Sequence, residues 1–146
     1  MRDWLLTFHI LGAAAWIGGG LYSWYSFTQL AKVPEIAGKS LGALAGTADR
    51  YFGPAATLTL ATGVTLVLTQ DEWGWGDTFV IVGLGVFLAS ALSQALVSSK
   101  VQKRMLSAAD SGTGLAQAMT GFHRSTAVEV AILLVAVWAM VVKLGT

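Results

Sequence analysis

Charge is absent from Trp4 to Ala31, from Tyr51 to Gln70 and from Thr78 to Ser99, and between Ser125 and Val142 it is confined to Glu129. The first run exceeds, and the others approximate, the ~20 residues with which a helix crosses ~30 Å of hydrocarbon. Each is bounded by charged or glycine-rich turns that would be out of place in lipid. The pattern predicts an all-α fold, a four-helix transmembrane bundle forming one integral membrane domain over 1–146. Its spans fall at about 4–31, 51–70, 78–99 and 125–142. The first run is too long for a signal-peptide core, no basic cluster precedes it, and Gly18, Gly19 and Gly20 sit in its middle, so it reads as a retained helix. The polar, small-residue stretch from Val101 to Arg124 is expected to hold short interfacial helices around a turn near Ser107 to Gly114, with no extramembrane domain of useful size.

Four spans put both termini on one face, and the basic residues indicate which. Lys32, Lys39 and Arg50 fall in the first connection and Lys100, Lys103, Arg104 and Arg124 in the third, against Arg2 and Lys143 on the other side. The positive-inside rule then places the first and third connections in the cytoplasm and both termini on the outer side of a cell membrane crossed in multiple passes. The second connection, Asp71 to Asp77, has three acids and no base, and Trp4, Trp73, Trp75 and Trp138 supply an aromatic belt for the same outer face.

Composition agrees with this solvent. Of 146 residues, 55% are hydrophobic and 12% charged, with mean hydropathy +0.65, whereas a soluble domain carries about 25% charged residues. A net charge of +1 gives no reason to expect a nucleic-acid partner. The lack of cysteine removes disulfides, thiolate metal sites and Cys nucleophiles together.

Polar side chains inside a membrane helix ask for partners. His9 is the sharpest case: helical spacing aligns it with Gly12, Ala13, Trp16, Gly19, Gly20 and Ser23, so an imidazole, an indole and a small-residue groove share one face. Such a face can take a flat haem macrocycle edge-on with His9 as an axial ligand, can pack against another helix, or can relay protons. His123 lies at the opposite end of the bundle, so the two histidines cannot share a ligand. At the depth of His9 the candidates are Trp138, Met140 and, from the rim, Lys143, or His9 of a second chain. His123 itself, beside Arg124, reads as an interfacial or helix-start group. Glu129 lies little more than a turn into the last span, where a carboxyl is expected to be neutral or paired, with Arg124, Gln94 and Ser26 as candidate partners. Thr62, Thr65 and Thr69 form a polar stripe fit for helix packing or for lining a small cavity. A soft copper site wants Cys or clustered Met, and only Met140 falls in a span.

The run His9-Ile10-Leu11-Gly12-Ala13-Ala14-Ala15-Trp16-Ile17-Gly18-Gly19, together with Gly74-Trp75-Gly76-Asp77 before the third span and Met140-Val141-Val142-Lys143 at the close, resembles the copper-resistance-D-like group of bacterial inner-membrane proteins. Within it, the resemblance is to a family of small four-span proteins of unknown function, and it covers nearly the whole chain. The HemJ-type membrane protoporphyrinogen oxidases are relatives whose first-helix pattern of His, Trp, Gly and Tyr is matched by His9, Trp16, Gly19 and Tyr22. This resemblance implies a haem b site or a redox role at His9, Trp16, Gly19 and Tyr22. The lysine that partners the histidine in those oxidases has no counterpart, since the third span has no base before Lys100. Three functions remain open: a haem-b-binding protein or small subunit of a membrane redox complex, a structural or interaction subunit in a homo-oligomer or larger complex, and a carrier for protons or a small molecule using Glu129.

Overall fold

The structure is a computed structural model that describes residues 1–142. Among the described residues all regular structure is helical: α1 (Arg2–Leu30), α2 (Pro34–Thr69), α3 (Thr78–Ser93), a π-helical turn (Gln94–Ser98), α4 (Ser99–Ser111) and α5 (Leu115–Val142). Four helical rods are long and apolar enough to cross a membrane, because α3, the π turn and α4 run on as one rod from Thr78 to Ser111. Lipid offers no partners for backbone N–H and C=O groups, so continuous helices are the form such segments must take. α1 lies along α2, α3 along α5, and α4 closes onto both α2 and α5.

The rods are longer than the bilayer requires. The 36 residues of α2 and the 34 of the Thr78–Ser111 rod correspond to about 54 and 51 Å, against ~30 Å of hydrocarbon. Exposed aromatic residues mark where the excess lies. Trp4, Trp75 and Trp138 ring the terminal end, and Tyr22, Trp24, Tyr25 and Tyr51 ring the bundle further along. Trp4 and Tyr25 are separated by about 31 Å of helix, which matches the apolar slab. Past Tyr25 and Tyr51 the helices continue into a cap containing the main cluster of buried residues: Phe27, Ala37, Leu41, Ala45, Met105 and Met119. Phe27 meets Phe122 edge-on at 4.9 Å there.

One expectation changes here. Residues 32–50 are not an open connection, since α2 begins at Pro34, a residue whose missing N–H costs nothing at the first turn of a helix. α4 is amphipathic, with Val101, Met105 and Ala109 inward and Lys100, Lys103, Arg104 and Asp110 outward. That one-sided pattern is what water demands, whereas α1 is apolar all round, as lipid allows. The turn between α4 and α5 falls at Gly112 and Gly114, whose φ values of 69° and 72° require residues without a Cβ penalty.

At the terminal end Arg2 pairs with Glu72 at 3.1 Å and lies over Trp73 at 5.3 Å, tying the start of α1 to the loop before α3. The N-terminus, that loop and the last residues of α5 therefore share one end. Two backbone irregularities interrupt the rods: Pro54 inside α2 and the π turn at Gln94–Ser98.

Candidate functional site

The face expected to be functional, His9 with its small residues, is the seam between α1 and α2. Its His9 Nδ1 lies 2.8 Å from the Thr59 carbonyl oxygen. A carbonyl only accepts, so Nδ1 carries the proton and donates it, and Nε2 keeps its lone pair. Thr62 Oγ1, 3.3 Å from Nδ1, donates its own proton to the Leu58 carbonyl at 2.6 Å. Glycines let the backbones close on this ring. A Cβ at Gly63 would sit 2.9 Å from His9 Cε1, one at Gly12 would sit 2.6 Å from Thr59 Oγ1, and one at Gly19 would sit 2.7 Å from Tyr51 Cε1. The groove that might have held a macrocycle edge is thus filled by α2, and within one chain the residues around His9 do not fit a haem.

The other residues singled out from the sequence are dispersed. Met140 packs over Gly83 of α3, where a Cβ would meet its Cε at 2.8 Å. Tyr22 is 64% exposed and belongs to the aromatic ring of the bundle surface. His123 Nε2 meets Thr28 Oγ1 at 2.8 Å, and Thr28 donates to the Trp24 carbonyl, so the imidazole supplies the proton of the shared bond. Some 28 Å of α1 separates Thr28 from His9, which keeps the two histidines apart. Thr62, Thr65 and Thr69 turn their hydroxyls back onto their own helix, at Leu58, Ala61 and Thr65, which is a packing arrangement and not a cavity lining. Lys143 lies outside the described residues. Among the described residues no three His, Cys, Asp or Glu side chains come together as a metal site would need.

A different part of the bundle is hollow. A cavity of about 200 Å³ lies between α1, α2, α3, the π turn, α4 and α5. Its deepest walls are Trp16 and Phe87, which meet edge-on at 5.8 Å, and it extends toward the cap as far as Ala48, Gln102 and Phe122. Among the described side chains Glu129 is the sole ionisable one lining it, and its carboxyl makes no hydrogen bond or ion pair with any described residue. Arg124 does not reach it: that side chain is exposed and lies off the lining. Gln94 lines the same cavity, and Ser23 of α1 occupies the position expected of Ser26.

Two features here escaped the sequence reading. Ser90, a residue of the cavity lining, is 1% exposed, and its Oγ has no hydrogen-bond partner. Ser98 of the π turn bonds Ser125 of α5 at 3.1 Å, joining opposite walls. The signal was present in the chain: Ser90, Gln94 and Ser98 recur every fourth residue in an otherwise apolar span. A regular helix would drift such a row round its surface, whereas the wider i→i+5 turn at Gln94–Ser98 holds residues at that spacing on the cavity wall. Irregular backbone at membrane depth is tolerated where it lines a cavity, and Gly53, beside Pro54, lines the opposite wall. Comparison with protein-family models, with curated proteins and with solved structures gives no match.

Proposed function

We propose that the protein is a multi-pass inner-membrane carrier that binds a small amphipathic molecule in the central cavity, with Glu129 as its polar anchor. The observation that carries this reading is one ionisable side chain, without an ion partner, at the wall of an otherwise aromatic and small-residue cavity. An intramembrane carboxyl is expensive to retain, so it marks a site of binding or proton movement. By the positive-inside bias of Lys32, Lys39, Arg50, Lys100, Lys103, Arg104 and Arg124, the cap faces the cytoplasm and both termini face outward. The cavity, blocked at Trp16 and Phe87 and reaching toward the cap, then addresses the cytoplasmic side. Reaction with a membrane-permeant hydrophobic carbodiimide, read by intact mass, tests the anchor. One adduct is expected on the native chain and none on Glu129→Gln. Equal modification of both would overturn the reading.

A second reading is favoured by one feature. A histidine that donates Nδ1–H to a backbone carbonyl is held in the tautomer whose Nε2 can ligate a metal. With α2 filling the seam, a haem b there would have to be shared with a second chain or a larger redox complex, to which His9 contributes Nε2. Haem titration of the protein in lipid tests this. A Soret band lost in His9→Ala is expected of that reading, and a spectrum unchanged by the substitution removes it.

A further inference from the structure

The cavity's chemistry also specifies the kind of molecule it takes. We infer that the ligand is a small lipophilic monocation, an organic ammonium carrying one compact apolar or aromatic body. This rests on the proposed small-molecule site at Glu129 and adds the charge, shape and size of its occupant.

Charge comes first. Among the described side chains the lining contributes one carboxyl and no base: those of α1, α2, α3, the π turn and α4 bring only apolar, hydroxyl and amide groups to it. An ionised carboxyl in such surroundings is stabilised by one positive charge brought in with the ligand. A neutral occupant leaves it uncompensated, an anion is repelled, and a dication leaves a surplus charge in the same low-dielectric space. The walls point the same way. Trp16, Phe52 and Phe87 present aromatic rings to the cavity, and aromatic faces attract ammonium groups, indole most strongly.

The hydroxyls of the bundle supply the second observation. Thr59, Thr62, Thr65, Thr69 and Ser99 each donate to the carbonyl four residues back, which is the usual resting place of a hydroxyl on a membrane helix. Ser90 does not, although it is almost wholly buried and belongs to the lining of the cavity. The Gln94 side chain, on the same row and exposed, has no partner among the described residues. A carboxyl and an unbonded hydroxyl among aromatic rings match a molecule with a polar cationic head and an apolar body. A volume of about 200 Å³ holds about seven waters, or one ring with a small head group.

The test uses the full chain in lipid nanodiscs, with empty nanodiscs as the reference for partitioning. Three probes of similar shape are benzyltrimethylammonium, its uncharged carbon isostere neopentylbenzene, and the anion phenylacetate. Saturable binding of the cation is expected, weakened about tenfold or more by Glu129→Gln and largely restored in Glu129→Asp. Ser90→Ala, which removes an unbonded atom and leaves the packing intact, is expected to weaken the same probe by a smaller factor. Isostere and cation binding equally, both indifferent to Glu129→Gln, would overturn the cation inference while leaving a small-molecule site. No saturable binding of any probe, with thermal unfolding of the native chain cooperative, would overturn both and leave a water-filled cavity.

Discussion

Alanine at Gly12 tests how closely the α1–α2 seam is built. Its Cβ would lie 2.6 Å from Thr59 Oγ1, 3.2 Å from the Thr59 backbone nitrogen and 3.4 Å from the Ala55 carbonyl oxygen. Two of those three atoms are backbone, so relief comes mainly by parting the helices. Restoring an ordinary contact of about 3.4 Å to Oγ1 takes a separation of about 0.8 Å. The same residue, Thr59, accepts the His9 hydrogen bond at 2.8 Å. Moving α1 away by that amount stretches it to about 3.6 Å, where it no longer counts as a bond. Overpacking costs about 1–3 kcal/mol and the lost interhelical bond about 0.6 kcal/mol, offset by about 0.5–1 kcal/mol for replacing glycine within a helix. Gly18, on the same helix with nothing within 4 Å of its Cβ, is the control and receives only the last term. Gly12→Ala is therefore expected to be about 2–3 kcal/mol less stable than Gly18→Ala. Reversible unfolding in mixed micelles, followed by tryptophan fluorescence, measures the difference. Adding Thr59→Ala to Gly12→Ala removes the shortest contact and is expected to recover most of the loss. Equal stability of the two alanine variants, with the His9 Nδ1 proton resonance unmoved, would refute the reasoning.

Met105 is wholly buried in the cap, so Met105→Ala is expected to cost about 2–5 kcal/mol in the same unfolding assay; a loss under half of that would mean the cap contributes little. Binding of benzyltrimethylammonium is expected to weaken as pH falls, by up to about tenfold per unit once Glu129 is protonated, because a proton then competes with the cation. No other described lining residue is ionisable, so the Glu129→Gln profile should be flat, and a matching slope in that variant would place the titrating group elsewhere. Since the chain has no cysteine, Asp71→Cys and Ser107→Cys are clean reporters of sidedness. An impermeant maleimide added to intact cells is expected to label the first and spare the second, and the reverse pattern would invert the topology.

The four spans were legible because lipid imposes a composition on every residue of a run, whatever its neighbours do. The cap was not, because its helices are written in short pieces. Ala37, Leu41 and Ala45 recur every fourth residue in a stretch broken by Lys32, Lys39 and Arg50, a stripe that a search for long uncharged runs passes over. The contact face of α1 was read from His9, Gly12 and Gly19, and the structure does use it, but for α2. Whether a glycine groove holds a helix or a cofactor depends on what arrives opposite, and Thr59 and Gly63 carry no sign of that in the chain. The cavity needed residues from every rod at once. Glu129 stood out as an intramembrane acid, but Ser90 became informative only when its hydroxyl failed to turn back on its own helix.

The bundle divides its labour by solvent. In the cap, water drives large side chains such as Leu41 and Met105 to full burial, and the helices are held by apolar area. Within the slab that force is absent, because lipid tails are as apolar as leucine, and adhesion must come from close backbone approach at Gly12, from side chains seated on Gly19, Gly63 and Gly83, and from the His9 bond. The seams α1–α2 and α3–α5 are the ones built that way, and the cavity lies between those two pairs. A hydrophobic clasp at one end of two glycine-sealed pairs leaves the space between them free of the packing demand that fills a soluble core. Glu129 can be kept there without an ion partner because cap and seams supply the cohesion.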